Sequence, residues 1–198
     1  EAAAKGGSKR AIAQLESRKA GKRHNNIPFG GMIEDLDTSL GQLLDAVEHL
    51  GILDNTYIIY TADNGTYPTT DPENINGPLR GSKATLWEAG VRVPLIISGP
   101  GIKAGTLSRQ KAVGYDILPT ICDILGINDL DERVEGGSLM PALHETGKVI
   151  RPRNELYFHW PHYQHQKLSK PDSTIIDGDH KLHYFWESGE LQLYDLSK

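Results

Sequence analysis

Two adjacent side chains, Asp63 and Asn64, offer a carboxylate and an amide oxygen immediately before Gly65. Oxygen donors of this kind suit hard cations such as Ca²⁺ or Mg²⁺ and suit soft metals poorly. The preceding residues, 56–61, form a continuous β-branched and aromatic run, which predicts a buried strand ending beside the pair. Open α/β sheets present functional groups at such strand ends. Taken alone, Asp-Asn-Gly is also typical of a simple tight turn.

Further groups that could take part in chemistry lie in the glycine-containing segment 79–94, which includes the basic residues Arg80, Lys83 and Arg92. A cation close to a metal site implies an anion bound between them, as in sites that stabilise negative charge in a transition state. The segment therefore favours an oxyanion site over a turn with only a structural role.

The residues around both groups carry a specific pattern. A predicted strand ends in Thr-Ala-Asp-Asn-Gly at 61–65, and residues 78–94 follow the order Pro-Leu-Arg-Gly-x-Lys-x-Thr-x-x-Glu-x-Gly-x-Arg-x-Pro. Asp63 and Lys83 are twenty positions apart. This order and spacing resemble the sulfatases of the alkaline phosphatase superfamily. The resemblance covers nearly the whole chain and includes the segments 32–41, 116–120, 137–139, 176–182 and 193–196.

The resemblance implies a role for three of the matching residues. Asp63 and Asn64 would coordinate a divalent cation, Ca²⁺ with Mg²⁺ as the alternative ion, and Lys83 would contact the sulfate group and its bridging oxygen. A metal cation and an ammonium in these places would stabilise the charge that develops when an alkoxide leaves a sulfate ester. The resemblance thus predicts one shared site for the turn and the basic segment.

Two interpretations compete for the arginines of the segment. Arg80 is a candidate substrate contact. For both Arg80 and Arg92 we favour the alternative, in which they brace the loop by pairing with Glu88 or with the edge of the sheet. The planar, permanently charged guanidinium suits either role.

The nucleophile of the resembled family is a formylglycine, made from the Cys or Ser of a Cys/Ser-x-Pro-x-Arg motif. The present sequence contains no such motif. Its one cysteine, Cys122, lies in an apolar helical segment and is predicted to be a buried packing residue. The paired aspartates, the lysine and the histidines that complete the family's site are also missing, and we interpret His24 as a solvated loop residue. We therefore expect this chain to be a fragment that is inactive in isolation.

A cluster of histidine and aromatic residues at 159–163, with His165 beyond it, admits three interpretations. Its spacing does not match a structural zinc site. Packing of its Trp and Tyr in a half-buried strand is the simplest alternative. The resemblance to carbohydrate sulfatases adds the hypothesis that His159 and His162 contact a sulfated sugar.

The elements around these groups follow from residue periodicity. Apolar residues at three- and four-residue steps predict a helix over 32–50 that ends at a glycine. A second apolar run predicts a buried strand over 93–98, and the chain then returns to a helical pattern over 115–125. Helices that alternate with buried strands favour an α/β fold.

The residue pattern changes near 151, where short aromatic segments separated by turn residues begin. They predict antiparallel strands at 156–160, 173–176, 181–186 and 191–196. Together with the resemblance, this predicts an α/β, alkaline-phosphatase-like mixed-sheet sandwich, present as its carboxyl-terminal portion over 1–150. A small antiparallel β subdomain is expected over 151–198.

The bulk composition excludes several classes of function. With 38% hydrophobic and 24% charged residues the chain is typical of a folded globular protein. A formal net charge of -5 and the lack of a basic run argue against a nucleic-acid partner. No run approaches the about 20 apolar residues of a membrane span, and no signal peptide is recognisable. A periplasmic or secreted location is implied by the resemblance alone.

The favoured function is therefore that of a sulfuric ester hydrolase whose substrate is a sulfated small molecule or glycan. A phosphatase or phosphodiesterase of the same superfamily is one alternative, because it would also need hard metals and an oxyanion pocket. A catalytically inactive binding fragment is the other, because the nucleophile motif is missing.

Overall fold

The computed structural model describes residues 27–66, 76–163 and 170–198. None of the helices in these ranges is long and apolar enough to cross a bilayer. In chain order the elements are α1 Ile27–His49, β1 Ile58–Thr61, α2 Glu88–Val91, β2 Leu95–Ser98, α3 Ile117–Ile124, α4 Met140–Leu143, β3 Leu156–Trp160, β4 Asp172–Asp177, β5 His180–Phe185 and β6 Glu190–Asp195.

Helix α1 confirms the predicted amphipathic helix and begins five residues earlier than predicted, at Ile27. It ends at His49, and Gly51 follows with a left-handed φ of 66°. A residue with this φ lets the backbone N–H groups after the helix bond to the carbonyls of its last turn, and glycine adopts it at little steric cost. The apolar side of α1 is nevertheless open to solvent, since Met32, Ile33 and Leu36 are each about half exposed.

Strands β1 and β2 confirm the two predicted strands and pair with each other antiparallel, from Ile58 opposite Ser98 to Thr61 opposite Leu95. The predicted burial is wrong. Most of β1 is half-buried, and most of β2 is exposed, including Ile96 at 62%. In the part of the chain that the structure describes these strands pair only with each other, so no further strand shields their apolar side chains.

The second sheet has four antiparallel strands in the order β3-β4-β5-β6, which confirms the predicted strands and turns. Its buried face is unusually polar. Thr174 lies opposite His183, and Ile176 lies opposite Lys181, with all four side chains buried. Buried polar groups require partners, so this face points to contacts with another part of the chain.

A buried ion pair connects the segment before the second sheet to the middle of the chain. Arg151 donates to Asp116 through Nε at 2.7 Å and Nη2 at 2.5 Å, and Asp116 is fully buried. The same carboxylate accepts backbone N–H bonds from Val113 and Gly137. The hydrogen bonds that the Arg151 guanidinium donates to the Asp116 carboxylate raise the pKa of Arg151. The proposed boundary near residue 151 stays a prediction.

Candidate functional site

Asp63 and Asn64 lie in the turn directly after β1, at the strand end where the sequence predicts them. Asn64 is half-buried and donates through Nδ2 to Oδ1 of the exposed Asp63 over 2.9 Å. The backbone N–H of Gly65 donates to the carbonyl of Gly90 over 3.0 Å. A Cβ on Gly65 would lie 1.6 Å from the carbonyl oxygen of Ala89, so only glycine fits here.

The segment that carries Lys83 lies against this turn. The backbone N–H of Lys83 donates to the carbonyl of Thr66 over 2.9 Å. Next to Lys83, Ala84 adopts a left-handed φ of 64°, and the hydroxyl of Thr85 donates to the carbonyl of Ser82. A non-glycine residue with such a φ is uncommon and marks a tightly constrained backbone. The structure thus brings the backbones of the turn and the lysine segment together, and the shared site stays a prediction.

The exposed side chain of Arg80 lies against Trp87 and the edge strand of the second sheet. Its guanidinium carbon lies 3.7 Å from the ring centroid of Trp87, and Nη1 donates to the hydroxyl of Tyr194 on the edge strand β6 over 3.4 Å. Glu88, one of the two predicted partners, pairs instead with Lys181. These contacts agree with a bracing role at the sheet edge, and a role of Arg80 in substrate binding stays a prediction.

The two candidate sugar-binding histidines lie elsewhere. His159 is exposed on β3, where its Nδ1 is 2.6 Å from Oγ of Ser173 and its ring meets Trp186 edge-on. Ser173 alternates with the buried residues of β4, so His159 lies on the opposite face of the sheet from His183. His162 follows β3, and His165 and His24 lie outside the described residues. The structure does not bring His159 together with the Lys83 segment.

Three buried polar residues were missed by the sequence analysis: Lys181, His183 and Asp172. They occupy the buried face of the second sheet, where Lys181 is 2% and His183 0% exposed. The signal available in the sequence was strand alternation, which places these residues on one face. That signal could not distinguish a buried polar face from an exposed one.

The donor chemistry of the turn fits part of a divalent cation site. Asp63 and Asn64 provide two oxygen-bearing side chains, whereas Ca²⁺ takes about six to eight oxygen ligands. Within the described ranges no group of three or more His, Cys, Asp or Glu side chains could hold a metal ion. The pair alone therefore provides fewer oxygen ligands than such an ion takes.

Two family models match this sequence. The family described as "Sulfatase" matches residues 15–127, and "N-sulphoglucosamine sulphohydrolase, C-terminal" matches residues 82–198. The first match covers more than half of the chain and includes both the turn and the lysine segment. The chain belongs to the sulfatase family.

Curated relatives agree with this membership. A sulfatase of Formosa agariphila is 34% identical over 193 residues, covering 88% of this chain and 34% of that protein. Human arylsulfatase A is 33% identical over 180 residues, covering 87% of this chain and 33% of its own length. The N-acetylglucosamine-6-O-sulfatase of Bacteroides thetaiotaomicron is 32% identical over 164 residues, with 81% and 28% covered. The chain spans about a third of the length of these relatives.

Solved structures confirm the predicted fold class. The protein BT4656, solved with its substrate D-glucosamine-2-N,6-O-disulfate, matches with a TM-score of 0.70 and 29% identity, over 94% of this chain and 39% of that one. A phosphonate monoester hydrolase from Silicibacter pomeroyi matches with a TM-score of 0.63 and 26% identity, over 81% and 32%. Both likenesses agree with an alkaline-phosphatase-like α/β fold, of which this sulfatase chain forms part.

Proposed function

We propose that this sulfatase chain provides the carboxyl-terminal part of an active site that hydrolyses sulfate esters of carbohydrates. The observation that carries the proposal is the contact between the two motif segments. Lys83 is bound through its backbone to Thr66, one residue beyond the turn that holds Asp63 and Asn64. This backbone contact supports the proposal that the Lys83 ammonium and the side-chain oxygens of Asp63 and Asn64 serve one site at the end of β1.

Lys83 acts on the leaving group in this proposal. Cleavage of the sulfur–oxygen bond leaves negative charge on the bridging oxygen, which a sugar alkoxide holds poorly. The Lys83 ammonium stabilises that charge by a charge-assisted hydrogen bond, and water supplies the proton that finally yields the alcohol. Lys83 is only half-buried, so it remains accessible to a substrate.

Asp63 and Asn64 would hold a divalent cation, Ca²⁺ or Mg²⁺, through their side-chain oxygens. Such a cation, when bound, neutralises charge on the nonbridging sulfate oxygens. Chelation should abolish turnover, added Ca²⁺ should restore it, and Asp63→Ala should raise the Ca²⁺ concentration needed. Turnover that survives complete chelation would contradict this assignment.

The nucleophile is proposed to come from sequence outside this chain, since the Cys/Ser-x-Pro-x-Arg motif is missing here. Cys122 does not replace it, because its side chain is buried in α3, as predicted. We use the term assembled enzyme for this chain combined with the sequence that bears a formylglycine nucleophile. Turnover of a sulfate ester by the isolated chain would contradict the proposal that it is incomplete.

A sulfated carbohydrate is the proposed substrate class, supported by relatives whose names specify sulfated sugars and by the neighbour solved with a glucosamine disulfate. A periplasmic or secreted location is proposed on the same relationship. Cell fractionation tests it, and recovery of the protein only from the cytoplasm would contradict it.

Paired sulfate and phosphonate esters test the proposed reaction directly, because one structural neighbour is a phosphonate monoester hydrolase. The assembled enzyme should hydrolyse the 6-O-sulfate of N-acetylglucosamine, the sugar named in one relative, much faster than phosphate or phosphonate esters of similar alcohols. Preference for a phosphorus ester would support the phosphatase or phosphodiesterase alternative. Binding of sulfated sugar without turnover of any ester would support the inactive binding protein.

A further inference from the structure

The loop that carries Lys83 is attached to the second sheet by a buried ion pair. Lys181 of β5 donates from Nζ to Oε1 of Glu88 over 2.9 Å, across 93 positions of sequence. The Lys181 side chain is 2% exposed and that of Glu88 is 22% exposed. A lysine this deeply buried requires a charged partner, so the contact holds Glu88 in one place relative to β5.

A second contact lies one residue from Glu88 on the loop and two residues from Lys181 on β5. The ring of His183 stacks on that of Trp87 with centroids 4.1 Å apart, and His183 is completely buried. Its Nδ1 lies 3.1 Å from Oδ2 of the buried Asp172, which fixes the orientation of the imidazole. Tyr194 of β6 meets Trp87 edge-on at 5.4 Å. Residues of β4, β5 and β6 therefore all help to fix the position of the Trp87 side chain.

The loop itself connects these contacts to Lys83. Ala89 donates its backbone N–H to the carbonyl of Arg80 over 2.9 Å, which closes the loop around Lys83. A Cβ on Gly90 would lie 2.0 Å from the carbonyl oxygen of Thr85, so the loop is tightly folded on itself. Such a closed, close-packed loop has little freedom, and a shift of Glu88 is passed on to Lys83.

We propose that Lys181 and His183 are positioning residues that set the place of the Lys83 ammonium at the leaving oxygen. The proposal rests on the proposed function of Lys83. A buried ion pair is weak evidence for stability, because apolar replacements are often equally stable. The ion pair supplies a directional contact that fixes the position of the loop relative to β5. Misplacement of a group assisting the reaction by about 1 Å can cost on the order of 10²-fold in rate.

The test is a ratio of two kcat/KM values measured in the assembled enzyme. One substrate is the 6-O-sulfate of N-acetylglucosamine, whose alcohol is a poor leaving group. The other is nitrophenyl sulfate, whose acidic phenol leaves with little assistance. The ratio is independent of the folded fraction, because that fraction scales both values equally. Lys83→Ala gives the reference, since removal of the assisting group should slow the sugar sulfate far more than the aryl sulfate.

Lys181→Met should lower the ratio at least about tenfold, toward the value of Lys83→Ala. The matched control is Lys198→Met, which removes another lysine paired to a carboxylate of the second sheet, at an 84% exposed position. Should Lys181→Met fail to fold, the double variant Lys181→Met, Glu88→Leu replaces the pair by apolar side chains and keeps the test available. The double variant should show the same low ratio.

The outcomes separate the two ideas. A ratio in Lys181→Met and in the double variant equal to that of Lys198→Met overturns the positioning role, while the proposed function stands if Lys83→Ala still lowers the ratio. A ratio that Lys83→Ala does not lower overturns the leaving-group role of Lys83, and the positioning proposal with it. In the double-mutant combination Lys83→Ala, Lys181→Met, the positioning role predicts no further decrease.

Discussion

The second sheet and the amino-terminal elements differ in which kinds of side chain are buried and which are exposed. In the sheet, charged and polar groups such as Lys181 and His183 are buried and have partners elsewhere in the chain. In α1 and the β1–β2 pair, apolar side chains such as Leu36 and Ile96 are largely exposed. The difference shows that the second sheet buries polar groups against other parts of the chain, whereas the described amino-terminal elements leave apolar side chains at the surface.

The largest effect should come from the buried ion pair between Asp116 and Arg151. Asp116→Ala leaves Arg151 without its buried partner and two backbone N–H groups without an acceptor. We expect a loss of about 3–5 kcal/mol in the free energy of unfolding, measured by urea titration. The control Asp131→Ala breaks an exposed pair with Arg133 and should change the free energy of unfolding far less, because solvent screens the pair. Equal costs would contradict the importance given to burial.

A matched pair of leucines compares apolar packing in the two regions. Leu156 of β3 is 4% exposed and Leu36 of α1 is 50% exposed. Leu156→Ala should cost about 2–4 kcal/mol in the free energy of unfolding. Leu36→Ala in the isolated chain should cost about 0.5 kcal/mol or less, as surface substitutions usually do. If Leu36→Ala is as costly as Leu156→Ala, the apolar face of α1 is already covered.

The contact between the turn after β1 and the Lys83 segment depends on Gly65. Gly65→Ala places a Cβ in the position of the Ala89 carbonyl, so the turn must separate from the Lys83 segment. A displacement of about 1 Å there should lower kcat/KM for the sugar sulfate by about 10²-fold in the assembled enzyme. The control Gly41→Ala lies in α1 with open space around its Cβ and should leave activity unchanged. Full activity of Gly65→Ala would refute the close approach of the two segments.

The smallest effect is expected at His159, on the far face of the second sheet. If His159 contacts a glycan, as hypothesised from the sequence, His159→Ala and His162→Ala should raise KM for a sulfated glycan while leaving nitrophenyl sulfate unaffected. The exposed position predicts a change of less than about tenfold, or 1.4 kcal/mol. Kinetics with both substrates decide the question, and equal effects on the two would reject the sugar contact.

Sequence periodicity was sufficient for the local elements. Helix α1, the strands β1 and β2, and all four strands of the second sheet lie within a few residues of their predicted places, because apolar spacing and turn residues act locally. Gly178 and Gly189 have left-handed φ angles of 52° and 68° in the turns predicted there. These local patterns do not depend on which elements pack against each other in the fold.

Burial and long-range pairing were beyond such rules. The apolar runs of β1 and β2 predicted buried strands, but burial depends on what covers them, and β2 is mostly exposed. The partner of Glu88 was also missed, because Lys181 lies 93 positions away and only the register of β5 places it there. The motif predicted that Lys83 and Asp63 belong to one site. The contacts that hold the Lys83 loop in place could be identified only from the structure.

Lys83 is the most direct test of the proposed sulfatase function. Lys83→Ala should lower kcat for the sugar sulfate by about 10²- to 10³-fold in the assembled enzyme, as loss of one group that stabilises developing charge does. The control Lys103→Ala removes an exposed lysine whose only close carboxylate in the described residues, that of Glu145, is 3.9 Å away, and it should leave kcat unchanged. Unchanged turnover by Lys83→Ala, with the sugar sulfate still hydrolysed, would contradict the account.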